Sequence, residues 1–238
     1  MGHADTKTAL VTGASRGFGL ELSKELARLG WNLVIDARGT ADLNLARTSL
    51  ETIGPGMVAA MAGDVSDQTH VARLVEAATD LGGYRLLINN ASALGPSPLP
   101  HLSSYPVDEL RVVFEVNVLG PLRLIQGSLP VLDDGATIVN VSSDAAVEHY
   151  EGWGGYGASK AALEQLSGVL AVERPEIRVY WVDPGDMNTR MHQDAFPGED
   201  ITDRPHPSER VPGLLRLLEQ RPPSGRYRLA QFLVGASS

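Results

Sequence analysis

Tyr156 and Lys160 are the residues of this sequence whose types and spacing point most directly to proton transfer. The apolar residues that follow Lys160 recur at helical spacing, which places the two side chains one turn apart on one face of a predicted helix. A free tyrosine has a pKa of about 10, and a neighbouring ammonium group favours the phenolate and lowers that pKa. The pair therefore predicts a general acid and base, although the same spacing also fits an ordinary pair on a helix surface.

A glycine-rich turn lies between the first predicted strand and the first predicted helix. Gly13, Gly17 and Gly19 give it the spacing Gly-x-x-x-Gly-x-Gly. Glycines allow a tight turn and let backbone N–H groups approach a pyrophosphate at a helix N-terminus. The strand before the turn and the helix after it favour a phosphate-binding turn, and the alternative is an ordinary turn before a helix.

Two kinds of ribose ligand follow the second predicted strand. An acidic residue at this point, such as Asp36, binds a ribose 2′-hydroxyl, whereas an arginine holds a 2′-phosphate. Arg38 alternates in phase with Asp36, and Arg16 in the glycine turn supplies a second guanidinium. Two arginines suit a phosphate dianion better than a neutral ribose, so the sequence favours NADP(H) over NAD(H). The alternative is that Arg38 is a solvated loop residue and Asp36 a local acceptor.

Polar residues also follow the third and fourth predicted strands. Asp64 is placed either to accept a hydrogen bond from an adenine amino group or to form a turn, and Asp67 is predicted to cap the following helix. Asn90 follows the fourth strand, where an amide can bridge strands beside a flat ligand. Asn117 interrupts a helical pattern over residues 107–129, which indicates either a functional or bending role or a hydrogen-bonded core amide.

The elements that must position these residues alternate between strand and helix. That alternation predicts an α/β fold with a doubly wound, mainly parallel, seven-stranded sheet and helices on both faces. Right-handed crossovers are expected to gather the glycine turn, Asn90, Ser143, Tyr156 and Pro184 at one edge of the sheet. A polar segment, residues 190–207, is expected to form a variable substrate loop. The predicted strands cover residues 8–12, 32–38, 57–60, 86–88, 136–141, 177–182 and 227–234.

Composition limits the classes of function to be considered. The 238 residues suffice for one α/β domain with a large core, and a hydrophobic fraction of 43% is that of a soluble globular protein. A net charge of -9 argues against nucleic-acid binding, and the absence of cysteine excludes disulfides. The six histidines are scattered and no carboxylate cluster has ligand spacing, so no metal site is expected. Neither a membrane span nor a signal peptide is predicted, and we expect a cytoplasmic protein.

A set of short motifs runs along nearly the whole sequence. They are Thr12-Gly13-Ala14-Ser15-Arg16-Gly17-Phe18-Gly19, Asp64-Val65, Asn89-Asn90-Ala91, Asn117, Ser142-Ser143, Tyr156-x-x-x-Lys160 and Pro184-Gly185. In this order the sequence resembles the classical short-chain dehydrogenases/reductases. The resemblance implies one Rossmann-type catalytic domain over residues 1–238, usually dimeric or tetrameric. It also implies hydride transfer between a nicotinamide and the carbonyl or alcohol of a small molecule, with NADP favoured by Arg16 and Arg38.

The resemblance further implies a role for each site residue. Tyr156 is expected to donate or accept the proton, Lys160 to bind the nicotinamide ribose and lower the pKa of the phenol, and Ser143 to orient the substrate oxygen. Asn117 is expected to hold a water of the proton relay, and Thr189 to contact the carboxamide. The residues expected to contact the cofactor are Gly13, Ser15, Arg16, Gly17, Phe18, Gly19, Arg38, Asp64, Val65, Asn90, Ala91, Tyr156, Lys160, Pro184, Gly185 and Thr189.

One residue departs from the family pattern, and two other functions stay open. The glycine that often follows Asn-Asn-Ala is Ser92 here, which we expect to crowd the nicotinamide side of the site slightly. A cofactor-binding sensor or scaffold of the same fold is one alternative, although such a protein has no need of the intact Ser143, Tyr156 and Lys160 set. An epimerase or dehydratase that uses the nicotinamide transiently is the other. The sequence does not identify the substrate.

Overall fold

The computed structural model describes residues 7–233, which form one seven-stranded sheet between two layers of helices. The strands are β1 (Thr8–Val11), β2 (Asn32–Ala37), β3 (Val58–Ala62), β4 (Tyr84–Asn89), β5 (Leu132–Val141), β6 (Arg178–Asp183) and β7 (Gly225–Arg228). The helices are α1 (Gly17–Arg28), α2 (Thr40–Ile53), α3 (Gln68–Asp80), α4 (Val107–Phe114), α5 (Gly120–Ser128), α6 (Gly154–Glu173), α7 (Arg190–Ala195) and α8 (Val211–Gln220). That the whole chain is a single domain stays a prediction.

The strand order places a crevice at the centre of the sheet. All strand pairs are parallel, and the order is β3-β2-β1-β4-β5-β6-β7. The chain winds outward in one direction from β1 to β3 and in the other from β4 to β7. This strand order and the parallel pairing confirm the predicted doubly wound, parallel fold. Ligands of such sheets bind beyond the carboxyl ends of the strands, at the point where the direction reverses.

Successive side chains of the central strands enter two different cores. Val11 and Ile35 pack in the layer of α1, α2 and α8, whereas Leu10 and Val34 pack in the layer of α3, α5 and α6. Consecutive residues of a strand point to opposite faces, and a parallel sheet covered on both faces buries both sets. This explains why β1 and β2 are buried along their whole length.

The single helix predicted over residues 107–129 is interrupted. A π-helical turn, Glu115–Leu119, separates α4 from α5, and Asn117 lies in that turn. Two local features favour the break: the Asn117 amide bonds to a neighbouring loop rather than to solvent, and Pro121 at the start of α5 lacks a backbone N–H. Asn117 therefore lies where the helix is interrupted, which agrees with the bending role considered for it.

The C-terminal third differs from its prediction in two places. The predicted loop 190–207 contains α7, which begins after Thr189 because the Thr189 hydroxyl accepts a hydrogen bond from the backbone N–H of His192 at 3.2 Å. The last strand was predicted at residues 227–234, but β7 ends at Arg228 and a 3-10 helix, Leu229–Phe232, follows; Val234 lies outside the described residues. Across residues 7–233, no helix has both the length and the apolar character needed to span a membrane.

Candidate functional site

One cleft of about 790 Å³ follows the carboxyl ends of the strands, from the turn after β1 to α7. Most of the predicted site residues line it, and Gly19, Asn117 and Lys160 lie behind the lining. We call the part formed by Gly13, Ser15, Arg16, Gly17 and Arg38 the glycine end, and the part formed by Ser92, Ser143 and Tyr156, with Asn117 and Lys160 behind them, the tyrosine end. The other predicted residues in the lining are Phe18, Asp64, Val65, Asn90, Ala91, Pro184, Gly185 and Thr189.

The glycine turn is held against the end of β4. Gly13 has φ +65°, and a Cβ there would lie 2.9 Å from the Cα of Ala91; a Cβ on Gly19 would lie 2.4 Å from the Asn90 side-chain nitrogen. The Asn90 amide donates to the carbonyls of Thr12 at 2.9 Å and Gly13 at 3.1 Å. Asn90 therefore bridges two strand ends, as predicted, and glycine is required at both positions.

The N-terminus of α1 has the properties of an anion site. The helix begins at Gly17 after an extended Arg16, no side chain caps it, and its first turn carries no acidic residue. The first N–H groups of a helix have no partner within the helix, and the helix dipole favours negative charge there. Arg16 and Arg38 are both exposed beside this point. A phosphate group fits this arrangement of donors.

Asp36 is an internal acceptor rather than an exposed ligand. Its side chain is 1% exposed. One carboxylate oxygen accepts the backbone N–H of Gly13 at 2.9 Å, and the other lies 3.1 Å from Nε2 of the equally buried His70. One oxygen thus holds the glycine turn and the other pairs with α3, which favours the local-acceptor alternative over ribose binding.

Asp64 serves the turn after β3. One of its oxygens accepts from the backbone N–H of Ser66 at 2.9 Å and from the Ser66 hydroxyl at 2.7 Å. Burial acts to raise the pKa of Asp64, but the hydrogen bonds from Ser66 and the positive charge of Arg38 outweigh it, so that the pKa is lowered. Contact with an adenine stays a prediction. Asp67 caps α3 by accepting from Thr69 N–H at 2.8 Å, which confirms its predicted role.

At the tyrosine end, burial dominates the acidity of Tyr156. The residue lies in the first turns of α6 and is 8% exposed. Burial raises the pKa of Tyr156 well above its ordinary value of 10.0, while hydrogen bonding to Ser92 and Ser143 acts to lower it. The expected fall in the pKa of Tyr156 is not found, because burial acts more strongly in the opposite direction. The Lys160 ammonium lies 5.5 Å from the centre of the ring and donates to the Val141 carbonyl at 2.7 Å.

Lys160 is a buried cation behind the phenol. It is 1% exposed, and burial lowers its pKa from 10.5 to about 8, against the opposing charge of Glu164 one helical turn away. A lysine in this state loses its charge near pH 8. Its burial therefore places a titratable group directly behind the tyrosine end.

Ser143 precedes a short 3-10 helix, Asp144–Ala146, and its side chain caps the start of that helix. Its hydroxyl donates to the Asp144 carboxylate at 2.9 Å and accepts from the backbone N–H of Ala145 at 3.2 Å. This hydroxyl lines the cleft beside Tyr156, and its role in orienting a substrate oxygen stays a prediction. Its proton must turn away from Asp144 before it can be donated to a ligand.

The Asn117 side chain is fully hydrogen-bonded within the protein. Its oxygen accepts from the backbone N–H of Ala93 at 2.7 Å and from the Ser92 hydroxyl at 3.1 Å. Its nitrogen donates to the Ala93 carbonyl at 2.8 Å and to the Ser159 hydroxyl at 2.9 Å. The amide thus has no further hydrogen-bonding capacity, and a relay water held by Asn117 stays a prediction that can involve only its backbone.

Arg226 is a residue of the site that sequence reasoning missed. Its guanidinium donates to both oxygens of Glu164 at 3.0 and 3.2 Å and to the backbone carbonyl of Ser143 at 3.0 Å. It also lies 3.7 Å from the carboxylate of Asp183. Arg226 therefore joins β7 to the ends of β5 and β6 and to α6, immediately behind the tyrosine end. The sequence offers one indication of this cluster: Glu164 lies four residues after Lys160, a spacing that places two opposite charges on one face of a helix.

An apolar wall borders the tyrosine end. The ring of Trp153 lies 5.7 Å from the ring of Tyr156 and 5.9 Å from that of Phe196, and Leu94 and Met191 pack into the same cluster. Such a wall excludes water from one side of the phenol. Within residues 7–233 no group of three or more histidine, aspartate or glutamate side chains is arranged to hold a metal ion.

Comparisons with known proteins agree with this geometry. Sepiapterin reductase of Rattus norvegicus is 35% identical over 205 residues, which are 81% of this chain and 78% of the relative. A short chain dehydrogenase from Escherichia coli CFT073 complexed with NADPH has a TM-score of 0.86 at 29% identity, covering 94% of this chain and 96% of that one. An alcohol dehydrogenase from the archaeon Thermococcus sibiricus complexed with 5-hydroxy-NADP has a TM-score of 0.83 at 26% identity, with coverage of 94% and 96%.

The family assignment rests on most of the sequence. A family model described as short chain dehydrogenase matches residues 7–200, which include the glycine turn and the Tyr156 and Lys160 pair. The relatives and the solved structures carry names of the same kind. The chain therefore belongs to the short chain dehydrogenase family of oxidoreductases.

Proposed function

We propose that this protein transfers a hydride between NADP(H) and the carbonyl or alcohol group of a small molecule, with Tyr156 as general acid and base. The observation that carries the proposal is the continuity of this cleft, which connects the exposed guanidinium groups of Arg16 and Arg38 to the phenol of Tyr156. One ligand that reaches both ends must combine a phosphate group with a part that reacts beside the phenol. A nicotinamide dinucleotide has this composition.

The preference for NADP(H) is supported by the glycine end. Asp36 is buried and each of its oxygens already has a partner within the protein, which disfavours binding of a ribose 2′-hydroxyl. Arg16 and Arg38 are exposed at the rim, where they fit a 2′-phosphate. The uncapped start of α1 fits the pyrophosphate. Two solved relatives are complexed with NADPH and 5-hydroxy-NADP, which points in the same direction.

The residues of the tyrosine end supply orientation and proton transfer. When bound, NADP(H) supplies or accepts the hydride. Tyr156 donates its proton to the carbonyl oxygen in reduction and takes it back in oxidation. The Ser143 hydroxyl turns from Asp144 to donate to the same oxygen, where negative charge develops. Lys160 places a positive charge behind the phenol while it is protonated, which favours the phenolate.

The relatives suggest where to begin with substrates. Sepiapterin belongs in the panel because several relatives are sepiapterin reductases, and the apolar wall around Trp153 favours a flat or partly apolar carbonyl compound. We further propose that the protein acts in the cytoplasm as a homodimer or homotetramer. Light scattering after size-exclusion chromatography tests the assembly.

The test is a spectrophotometric assay of NADPH oxidation with sepiapterin and with aliphatic, aromatic and vicinal dicarbonyl compounds. We expect a steady loss of the reduced-cofactor absorbance with NADPH and a slower one with NADH. Tyr156→Phe is expected to lower turnover by about 10²- to 10⁴-fold with little change in NADPH affinity, because it removes only the transferred proton. Turnover without any net absorbance change would instead indicate an epimerase or dehydratase. NADPH binding without turnover of any kind would indicate a sensor.

A further inference from the structure

Ser92 introduces a hydroxyl group at a position where the family pattern has glycine. The residue follows Ala91 directly after β4, is partly buried, and lines the cleft at the tyrosine end. The expected consequence of this change was slight crowding. The structure shows a different one, since the hydroxyl lies between two groups assigned to proton transfer.

The Ser92 hydroxyl has one firmly held partner. It donates to the side-chain oxygen of Asn117 at 3.1 Å. That amide is immobilised by its bonds to the N–H and C=O of Ala93 and to the hydroxyl of Ser159. A group bonded to so rigid an acceptor has a defined direction, and hydrogen bonds joined in a chain strengthen one another. Ser92 therefore presents its oxygen to the cleft in a fixed position.

Tyr156 is the partner on the cleft side. The Ser92 and Ser143 hydroxyls line the cleft together with the phenol of Tyr156, and both act to lower the pKa of the phenol by hydrogen bonding, so that two serines from different strand ends flank one oxygen. In this position the protonated phenol can donate to Ser92, which itself donates to Asn117. When the proton leaves, the Ser92 hydroxyl can turn and donate to the phenolate. The Asn117 oxygen then still accepts from Ala93 N–H.

We propose that Ser92 is a positioning residue for proton transfer: its hydroxyl, directed by the Asn117 amide, holds the Tyr156 phenol and stabilises the phenolate. This inference deepens the proposed function and rests on it. A hydrogen bond to a charged oxygen is roughly twice as strong as one to a neutral oxygen, so Ser92 stabilises the phenolate more than the phenol. Removal of the hydroxyl must therefore raise the pKa of Tyr156.

The direction of the effect on activity follows from the two roles of Tyr156. Alcohol oxidation needs the phenolate, so its rate rises as the pH increases through the pKa of Tyr156. Carbonyl reduction needs the protonated phenol, so its rate falls above that pKa. Loss of the Ser92 hydroxyl shifts both inflections to higher pH by about one unit, which lowers oxidation at a fixed pH below the inflection by about tenfold.

The experiment compares wild type with Ser92→Ala, Ser92→Gly and Ser92→Thr, using diacetyl with NADPH for reduction and acetoin with NADP⁺ for oxidation. Ser104→Ala is the matched control, because it removes an exposed hydroxyl from the same connection between β4 and α4. We expect shifted inflections in the Ala and Gly variants and wild-type inflections in Ser92→Thr and Ser104→Ala. The Kd for NADPH is expected to change less than about twofold in all of them.

Several outcomes would overturn the proposal. Unchanged inflections in both Ser92→Ala and Ser92→Gly would show that the hydroxyl does not act on the phenol. A shift in Ser92→Ala alone would identify a packing effect, since glycine also lacks the hydroxyl. A shift in Ser92→Thr as large as that of Ser92→Ala, or any comparable shift in Ser104→Ala, would contradict a role for this particular hydroxyl.

A second readout separates this inference from the proposed function. The phenolate absorbance of Tyr156 is the difference between alkaline titrations of wild type and of Tyr156→Phe. The same difference between Ser92→Ala and the double variant Ser92→Ala, Tyr156→Phe gives this absorbance without the Ser92 hydroxyl. A higher titration midpoint in the Ser92→Ala background supports the role of Ser92 even if no carbonyl compound is reduced. If wild type turns over and the midpoint does not move, the proposed function stands and the inference about Ser92 is wrong.

Discussion

The two ends of the cleft use charge in opposite ways. At the glycine end the cations are exposed, and the carboxylate that could compete with them, Asp36, is buried and hydrogen-bonded. At the tyrosine end the cation itself is buried: Lys160 is 1% exposed and Tyr156 is 8% exposed. The charges of one end are therefore screened by water and salt, whereas the ionisable groups of the other end lie where water is excluded.

This difference carries a cost in stability at one end only. Exposed arginines lose little hydration when the chain folds, whereas a buried ammonium loses nearly all of it. The lowered pKa of Lys160 and the raised pKa of Tyr156 both express that loss of hydration. The comparison teaches that the tyrosine end keeps two ionisable groups buried at the expense of stability, an arrangement common at sites where buried polar groups perform chemistry.

The largest expected effect follows from the titration of Lys160. Below about pH 8 the lysine is charged in the folded and unfolded states, so its burial cost is fully present. Between pH 8 and 10.5 the unfolded chain still binds a proton that the folded protein has lost, and stability rises with pH. We expect wild type to gain up to about 3 kcal/mol relative to Lys160→Met across this window, measured by urea unfolding.

The comparison with the variant removes the contributions of all other titrating groups. Lys24→Met, which removes a partly exposed lysine paired with Glu21 on α1, is the control and is expected to follow wild type at each pH. A constant difference between wild type and Lys160→Met would mean that the two ends do not differ in the stability cost of their cations.

The next effect concerns the support behind the tyrosine end. Arg226→Met is expected to lower kcat by about tenfold, because it removes a charge-assisted bond to the Ser143 carbonyl and both hydrogen bonds from the guanidinium to Glu164. NADPH affinity is expected to stay within about twofold, since the glycine end is untouched. Arg226→Lys is expected not to restore kcat, because an ammonium cannot reproduce the fork of bonds.

Arg228→Met is the matched control for this prediction. Arg228 lies two residues further along the sequence and is 3.7 Å from the same Asp183 carboxylate, but its side chain is 53% exposed. An exposed pair of this kind contributes little, so kcat is expected to remain near wild type. Equal losses in the Arg226 and Arg228 variants would show that β7 acts through general stability rather than through Ser143.

Local sequence patterns were sufficient for the parts of the fold that depend on neighbours in the chain. The alternation of strand and helix predicted the doubly wound sheet, and a four-residue spacing placed Tyr156 and Lys160 on one helix. The missed α7 also had a local signal, because Thr189 is a good N-cap residue. The Gly120-Pro121 pair could have indicated the break in the helix predicted over residues 107–129.

Contacts between distant residues and burial could not be predicted in this way. His70 meets Asp36 across 34 positions, and Arg226 meets Ser143 across 83. Neither pairing follows from spacing, since both depend on how strands and helices pack. The pKa of Tyr156 was expected to fall because a cation lies four residues away, but burial, which sequence does not show, acts more strongly in the opposite direction.

The smallest expected effect lies at the glycine end. Arg38→Ala is expected to raise the Kd for NADPH by about five- to tenfold at low ionic strength and to leave the Kd for NADH unchanged. Because Arg38 is exposed, the loss is expected to shrink as salt is added, and Arg47→Ala, which removes an arginine of α2 paired with Glu51, is the control. Fluorescence titration at several salt concentrations measures both dependences. If the loss persisted at high salt, the arginine would act within a desolvated contact, and the glycine end would resemble the tyrosine end after all.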